Sequence, residues 1–228
     1  MMRLRFFRPH MRNTILEWVK ACTQCIPERV QNRVNSGLSH SWPIIMPFSI
    51  ISVDIWSPGD LSNCYEQTKL LNCMCGMTEF VVCTAITNTG AAYLARIFME
   101  HILLKFGLCI MVVRDDGNKF RGIFEQMCKA LNIRFHVVSK RDHKAIGIER
   151  FHKFLNHSET FQLRDEGLQN HLCEVGMTKV YAWNTSPIEG TDIVRSVPAI
   201  GRALPFPLDI DMAEIPPLID NASEIVAR

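Results

Sequence analysis

Two short apolar runs in this chain each deliver an aspartate. Phe48–Trp56 (FSIISVDIW) carries Asp54 within it, and Cys109–Val113 (CIMVV) is followed by Arg114, Asp115, Asp116 and Gly117. Nearly continuous apolar runs of this length read as strands buried on both faces. A carboxylate on such a strand is costly unless something pairs with it. Each case has an ordinary explanation by itself. Asp54 could cap a strand end or meet an arginine, and Asp115 could belong to an Asp-Gly turn. Together they constrain more. If the two strands are neighbours, the carboxylates converge, and a divalent cation becomes their natural partner.

The segments around these runs set the fold class. Lys69–Met77 and Glu79–Thr87 read as two more strands that meet near Gly76–Thr78, and Ile133–Val138 as a fifth. Ala91–Phe106 reads as a helix with Leu94, Ile97, Phe98, His101 and Leu104 inward and Gly107 ending it. Asn118–Leu131, a segment starting at Ala145–Leu155, and Leu168–Trp183 read as further helices. Three consecutive strands, then helices alternating with two more, predict an α/β fold: a five-stranded mixed sheet flanked by helices. Residues 1–30 form a short helical stub, with Ile15, Trp18, Val19 and Cys22 on one face. Residues 31–46 read as a linker, 47–200 as the core, and 201–228 as an acidic, Pro-rich tail.

Composition limits the classes of function. With 47% hydrophobic and 21% charged residues, the chain can bury a core and is not a disordered or collagen-like polymer. A net charge of +2 hides an asymmetry. Residues 1–46 hold seven Lys/Arg against Glu17 and Glu28, a net +5, and the other 182 hold 18 against 21, a net −3. The longest apolar stretch, Pro43–Val53, is interrupted by Pro47 and serines and is too short to span a bilayer. The start, Met1–Phe7, is basic with no apolar stretch of the secretory kind after it. We therefore expect an intracellular chain, away from membranes, whose nine cysteines are mostly buried free thiols.

A third acid completes the pattern. Glu149 lies in AIGIERFHKFL, residues 145–155, where Ile148, Phe151 and Leu155 make the apolar stripe of a helix. Glu149 borders that stripe. It could pair with Lys153 one turn on, across a solvated face. It could equally reach over the strand ends, and three acids would then make an oxygen-rich site for magnesium or manganese. Such a site supports in-line phosphoryl transfer with two metals.

At this point four patches of sequence resemble the integrase of retroviruses and LTR retrotransposons. Ser52-Val53-Asp54-Ile55-Trp56-Ser57-Pro58 is similar to the first-strand motif of that family. Phe106-Gly107-Leu108-Cys109 with Arg114-Asp115-Asp116-Gly117-Asn118-Lys119-Phe120 resembles F-G-x-P followed by S-D-N-G-x-E/Q-F. Gly147-Ile148-Glu149-Arg150-Phe151-His152-Lys153-Phe154-Leu155 resembles N-G-x-V-E-R-x-N-R/K-x-L. Tyr181-Ala182-Trp183-Asn184-Thr185-Ser186-Pro187 resembles a helix ending in a Y/W-N-x-x-P turn. The likeness covers roughly residues 5–200.

The resemblance implies an RNase H-like catalytic core with a D,D,E triad. Asp54, Asp115 and Glu149 would be catalytic and would hold Mg2+ or Mn2+. Asp116 stands where relatives have asparagine and is a competing ligand. The activity implied is DNA strand transfer during integration of a retroelement, on element ends and target DNA, by a homo-oligomer, in the nucleus if active. Asp115 and Glu149 are 34 positions apart, slightly closer than in most relatives, and the shortening falls in Ser139–Gly147. Within it, Lys140, Arg141, His143 and Lys144 suit contacts to DNA phosphates, as does Lys153, or else form a solvated basic loop.

The basic stub resembles the end of the zinc-binding module that precedes such cores. Cys22 and Cys25 (C-x2-C) supply half of a tetrahedral zinc site, and the usual upstream His pair is absent, so Zn2+ is not expected on this chain alone. His10 occupies a place usually held by a small residue and is not a ligand candidate. Two other functions remain open on sequence grounds. One is a catalytically inactive retroelement-derived fragment that only binds nucleic acid or self-associates. The other is an RNase H-like nuclease acting on RNA–DNA hybrids.

Overall fold

The computed structural model describes residues 8–21, 46–57, 67, 69–138, 147–162 and 172–205, with backbone alone for 157–162 and 172–175. Five strands form one sheet: β1 (Ile50–Trp56), β2 (Lys69–Cys75), β3 (Val81–Ile86), β4 (Met111–Asp115) and β5 (Arg134–Val138). Their order is β3-β2-β1-β4-β5. β1 and β3 are antiparallel to β2, while β4 runs parallel to β1 and β5 parallel to β4. The sheet is mixed and five-stranded, as the sequence pattern predicts. β1 lies at its centre, which is why its sequence is almost continuously apolar.

Alternation along each strand sorts the side chains into two cores. Ile51, Val53, Ile55, Leu71, Cys73 and Val112 face the side covered by α2 (Ala91–Phe98), Phe120 and α4 (Ile123–Ala130). Ile50, Trp56, Leu70, Met74, Val113 and Val138 face the side of α5 (Ile148–Gln162) and α6 (Leu172–Asn184). The stripe Ile148, Phe151 and Leu155 of α5 is fully buried there, and Phe151 meets Trp183 edge-on with ring centroids 5.4 Å apart. Removing a ring like that of Phe151 typically costs about 3–5 kcal/mol.

The helix over Ala91–Phe106 departs from the expected inner face. α2 runs into a π-helical turn, Met99–Leu103, before a last α-turn, α3 (Leu104–Phe106). The wider turn rotates the residues after it about the helix axis. Ile102 and Leu103 become buried, whereas Leu104, expected inside, is 74% exposed and His101 is only half-buried. Gly107 ends the helix with φ +89°, a conformation suited to glycine. The helix expected over Asn118–Leu131 is broken in two. A 3-10 turn over Asn118–Phe120 is separated from α4 by Gly122, at φ +69°.

Three further elements complete the chain. α1 (Met11–Ala21) buries none of its residues, and Trp18 is 80% exposed. Of its expected apolar face, Cys22 lies outside the described residues. α7 (Ser196–Ile200) follows a loop anchored by Arg195. Among the described residues the cysteines are free thiols: Cys73, Cys75, Cys109 and Cys128 are buried and Cys83 is half-buried. Burial pushes the Cys109 and Cys128 thiols up to about 12, and Cys73 higher, so these are packing residues rather than metal-binding thiolates.

Candidate active site

The sheet brings Asp54 and Asp115 to one level. β1 and β4 pair in parallel, with Ile50 opposite Met111 and Ser52 opposite Val113. Two residues further along both strands, the same register sets Asp54 beside Asp115. Asp54 shares its face with Ile50 and Trp56, and Asp115 shares its face with Val113. Both carboxylates therefore lie on the side of α5. Glu149 is the second residue of α5 and half-buried.

The electrostatics reflect this convergence. The Asp54 carboxyl is raised from its ordinary 3.8 to about 6. Burial is the largest cause, opposed by the hydrogen bond from Ile55 N–H. The negative charge of Asp115 raises it further, Lys119 lowers it, and Glu149 raises it again. Each of the other two acids is thus felt at Asp54. Carboxylates so placed are short of positive charge. Among the described residues, however, no three His, Cys, Asp or Glu side chains form a group that could hold a metal ion as they stand.

The turn after β4 gives Asp115 and Asp116 different partners. Asp115 Oδ1 accepts the Gly117 N–H at 3.1 Å. A Cβ on residue 117 would sit 2.9 Å from that oxygen, so the glycine leaves the carboxylate its room. Asp116 is exposed and pairs with Arg121 at 2.8 Å. Buried Arg114 braces the turn: its Nη1 donates to the carbonyls of Asp115 at 3.0 Å and Gly117 at 3.2 Å, and its Nη2 meets Glu125.

His152, one turn after Glu149, is the contact that sequence reasoning missed. Its Nδ1 lies 3.3 Å from Asp54 Oδ2, and its Nε2 lies 3.1 Å from Asn72 Nδ2. Asn72 is the β2 partner of Asp54 and is fully buried. Burial lowers the His152 ring from its ordinary 6.5 to about 4, so it is neutral near pH 7. Two signals pointed to these residues. His152 is at i+3 from Glu149 and shares its helix face, and Asn72 interrupts an apolar strand. Lys119, whose charge acts on Asp54, was also missed; it comes two residues after Gly117.

α5 is held over the sheet by charge as well as packing. Glu79, in the β2–β3 turn, pairs with Arg150 of α5 and, at 2.9 Å, with Arg195. Arg195 is 5% exposed, stacks over Trp183 at 4.0 Å and donates to the carbonyls of Ser186 and Pro187. The remaining candidates divide simply. Lys153 is exposed on α5. Lys140, Arg141, His143, Lys144, Cys22 and Cys25 lie outside the described residues.

No family model matches the sequence. The chain is 24% identical over 156 residues to the "Retrovirus-related Pol polyprotein from transposon 412" of Drosophila melanogaster, which covers 66% of this chain. The chain spans only 12% of that polyprotein's length. Among solved structures, it aligns with a chain of the simian T-cell lymphotropic virus intasome, determined in complex with PP2A regulatory subunit B56 gamma. There the TM-score is 0.53 at 14% identity, covering 72% of this chain and 59% of that one. It also aligns with the HTLV-2 integrase catalytic core domain in complex with magnesium. For the trimeric form the TM-score is 0.52 at 14% identity, covering 68% of this chain and 98% of that one. The dimeric form aligns with a TM-score of 0.50. The mixed sheet and these likenesses agree, and the chain has the RNase H-like fold seen in retroviral integrase catalytic cores.

Proposed function

We propose that this domain is a metal-dependent DNA strand transferase of the integrase type, with Asp54, Asp115 and Glu149 as its acids. What supports the reading is the level placement of Asp54 on β1 and Asp115 on β4, on the side of the sheet that α5 covers, with the charges of Asp115 and of Glu149 from α5 both raising the Asp54 carboxyl. The donor set is all carboxylate oxygen, which suits magnesium or manganese rather than zinc. A divalent cation held there would supply the Lewis acidity that phosphoryl transfer requires. The chain's own residues do the rest. Gly117 N–H and Ile55 N–H orient one oxygen each of Asp115 and Asp54. Lys119 and Lys153, both exposed, offer charge to the DNA phosphates, and Lys140, Arg141, His143 and Lys144, outside the described residues, are further basic or His candidates by sequence.

The acids do not form a closed group among the described residues. This favours one competing reading, a fragment that binds DNA or itself without catalysis. Metal binding separates the two. On the proposal, the chain binds Mg2+, and Asp54→Asn or Glu149→Gln abolishes Mg2+-dependent joining, or its reverse on branched DNA. Strand joining by Asp54→Asn at the wild-type rate would overturn it.

A further inference from the structure

We propose that Arg114 is a positioning residue for Asp115, and that it ties the turn holding that carboxylate to α4. The inference rests on the reading of Asp115 as a working acid and adds to it how that acid is held.

Arg114 comes one residue before Asp115 and stands where the integrase motif it resembles has serine. Side chains alternate along β4. Arg114 thus shares its face with Val112, on the side of α2 and α4, and Asp115 shares its face with Val113, on the side of α5. The guanidinium reaches Asp115 through the backbone and not through the carboxylate. Its Nη1 donates to the carbonyls of Asp115 at 3.0 Å and of Gly117 at 3.2 Å. These two carbonyls belong to the peptides on either side of the one that carries the Gly117 N–H. With both held, that N–H is aimed at Asp115 Oδ1, which accepts it at 3.1 Å. Nη2 donates to Glu125 Oε1 at 2.5 Å, and Glu125 lies on α4. The far side of the guanidinium is fastened to a helix, and the near side closes the turn.

A side chain that only filled space would not be built this way. Arg114 is 3% exposed, and its Nε is buried without a hydrogen-bond partner. An apolar side chain of similar size is often as stable as a buried ion pair, or more so. What it lacks is the planar fork, which serves two carbonyls and a carboxylate at once. Lysine lacks it too, having a single nitrogen on a flexible stem.

Groups that orient a metal-binding residue typically change metal affinity by about 10–100-fold when they are lost. The experiment has two arms. Amide hydrogen exchange followed by NMR, in metal-free protein, should find the Gly117 N–H protected in the wild type. Arg114→Met should speed its exchange about tenfold, the loss of one hydrogen bond, and leave Val112 and Val113 of β4 unchanged. Arg114→Lys, which keeps a charge opposite Glu125, should speed it as well. In parallel, calorimetric titration with Mg2+ should show about a tenfold weaker Kd for both variants. Wild-type protection of Gly117 in Arg114→Lys overturns the proposal, and this variant carries the test if Arg114→Met does not fold. A loss of protection shared equally by Val112 and Val113 also overturns it, since Arg114 would then serve the fold alone. So does an unchanged Mg2+ affinity in a variant whose circular dichroism is native. The exchange arm needs neither metal nor DNA. If the wild type binds no Mg2+ while Gly117 exchanges as expected, it is the strand-transferase reading that fails.

Discussion

At the scale of single residues, Asp54 and His152 are displaced in opposite directions by the same cause. Burial raises Asp54 from 3.8 to about 6 and lowers His152 from 6.5 to about 4. For Asp54 the native state holds its proton more tightly than the unfolded chain. The penalty of ionising it is absent below about pH 4 and complete above about pH 6. For His152 the unfolded chain takes the proton more readily, so the native state loses stability as pH falls from about 6.5 to about 4. The windows overlap with opposite sign, and in metal-free protein the pair contributes little net pH dependence between them. Asp54→Asn removes one arm. We expect it to gain about 1–2 kcal/mol at neutral pH, discounted for partial exposure, and to lose stability on acidification. Denaturant titrations with chelator at neutral pH and near pH 5 check this; a variant no more stable than wild type at neutral pH contradicts it.

The same scale shows how far the site was legible beforehand. Asp54 and Asp115 stood out because a charge inside or beside a buried apolar run needs a reason. Glu149 stood out because it borders an apolar stripe. Asp115 was favoured over Asp116 by its place before the Asp-Gly pair, and the folded turn adds what the sequence could not show, Gly117 N–H on Asp115 and Arg121 on Asp116. The proximity of His152 and Asn72 to Asp54 was not foreseen, because it arises only between segments distant in sequence.

At the scale of elements, strands were easier to foresee than helix faces. β1 and β4 carry their own signature, a run of apolar residues with no polar face. The π-helical turn at Met99–Leu103 carries none, because one extra residue in a turn leaves the composition unchanged. It moved Leu104 from the expected core to the surface. The ion pairs at Glu79 were equally silent in sequence, yet they tie α5 to the β2–β3 turn and to the loop before α7. Arg195 is buried, so removing its anionic partner strands a charge. Glu79→Gln should destabilise the fold by about 2–4 kcal/mol. Its Mg2+ affinity should also weaken, because Glu149 rides on α5. Thermal denaturation and calorimetry measure both, and a wild-type melting temperature would refute the first.

At the scale of the molecule, the small net charge says little about DNA, because the charge is distributed by function. The basic head is only partly described. In the core, Lys119 and Lys153 lie near acids that repel phosphate until a cation neutralises them. Binding to DNA should therefore need Mg2+ and fall with salt. Lys119→Glu with Lys153→Glu should weaken binding at least tenfold and reduce the salt slope by about two. Fluorescence anisotropy across a salt series tests this, and an unchanged slope would place the DNA elsewhere. No helix among the described residues is long and apolar enough to cross a membrane.

The amide of Asn184 has a consequence for assembly. It accepts from Val81 N–H and donates to Val81 C=O, both at 2.8 Å. Val81 opens β3, the strand at one margin of the sheet. An incoming strand would look for those same two groups. A side chain already occupies them, imitating the neighbour that the margin lacks. That point on the margin is thereby closed to the backbone of an incoming strand.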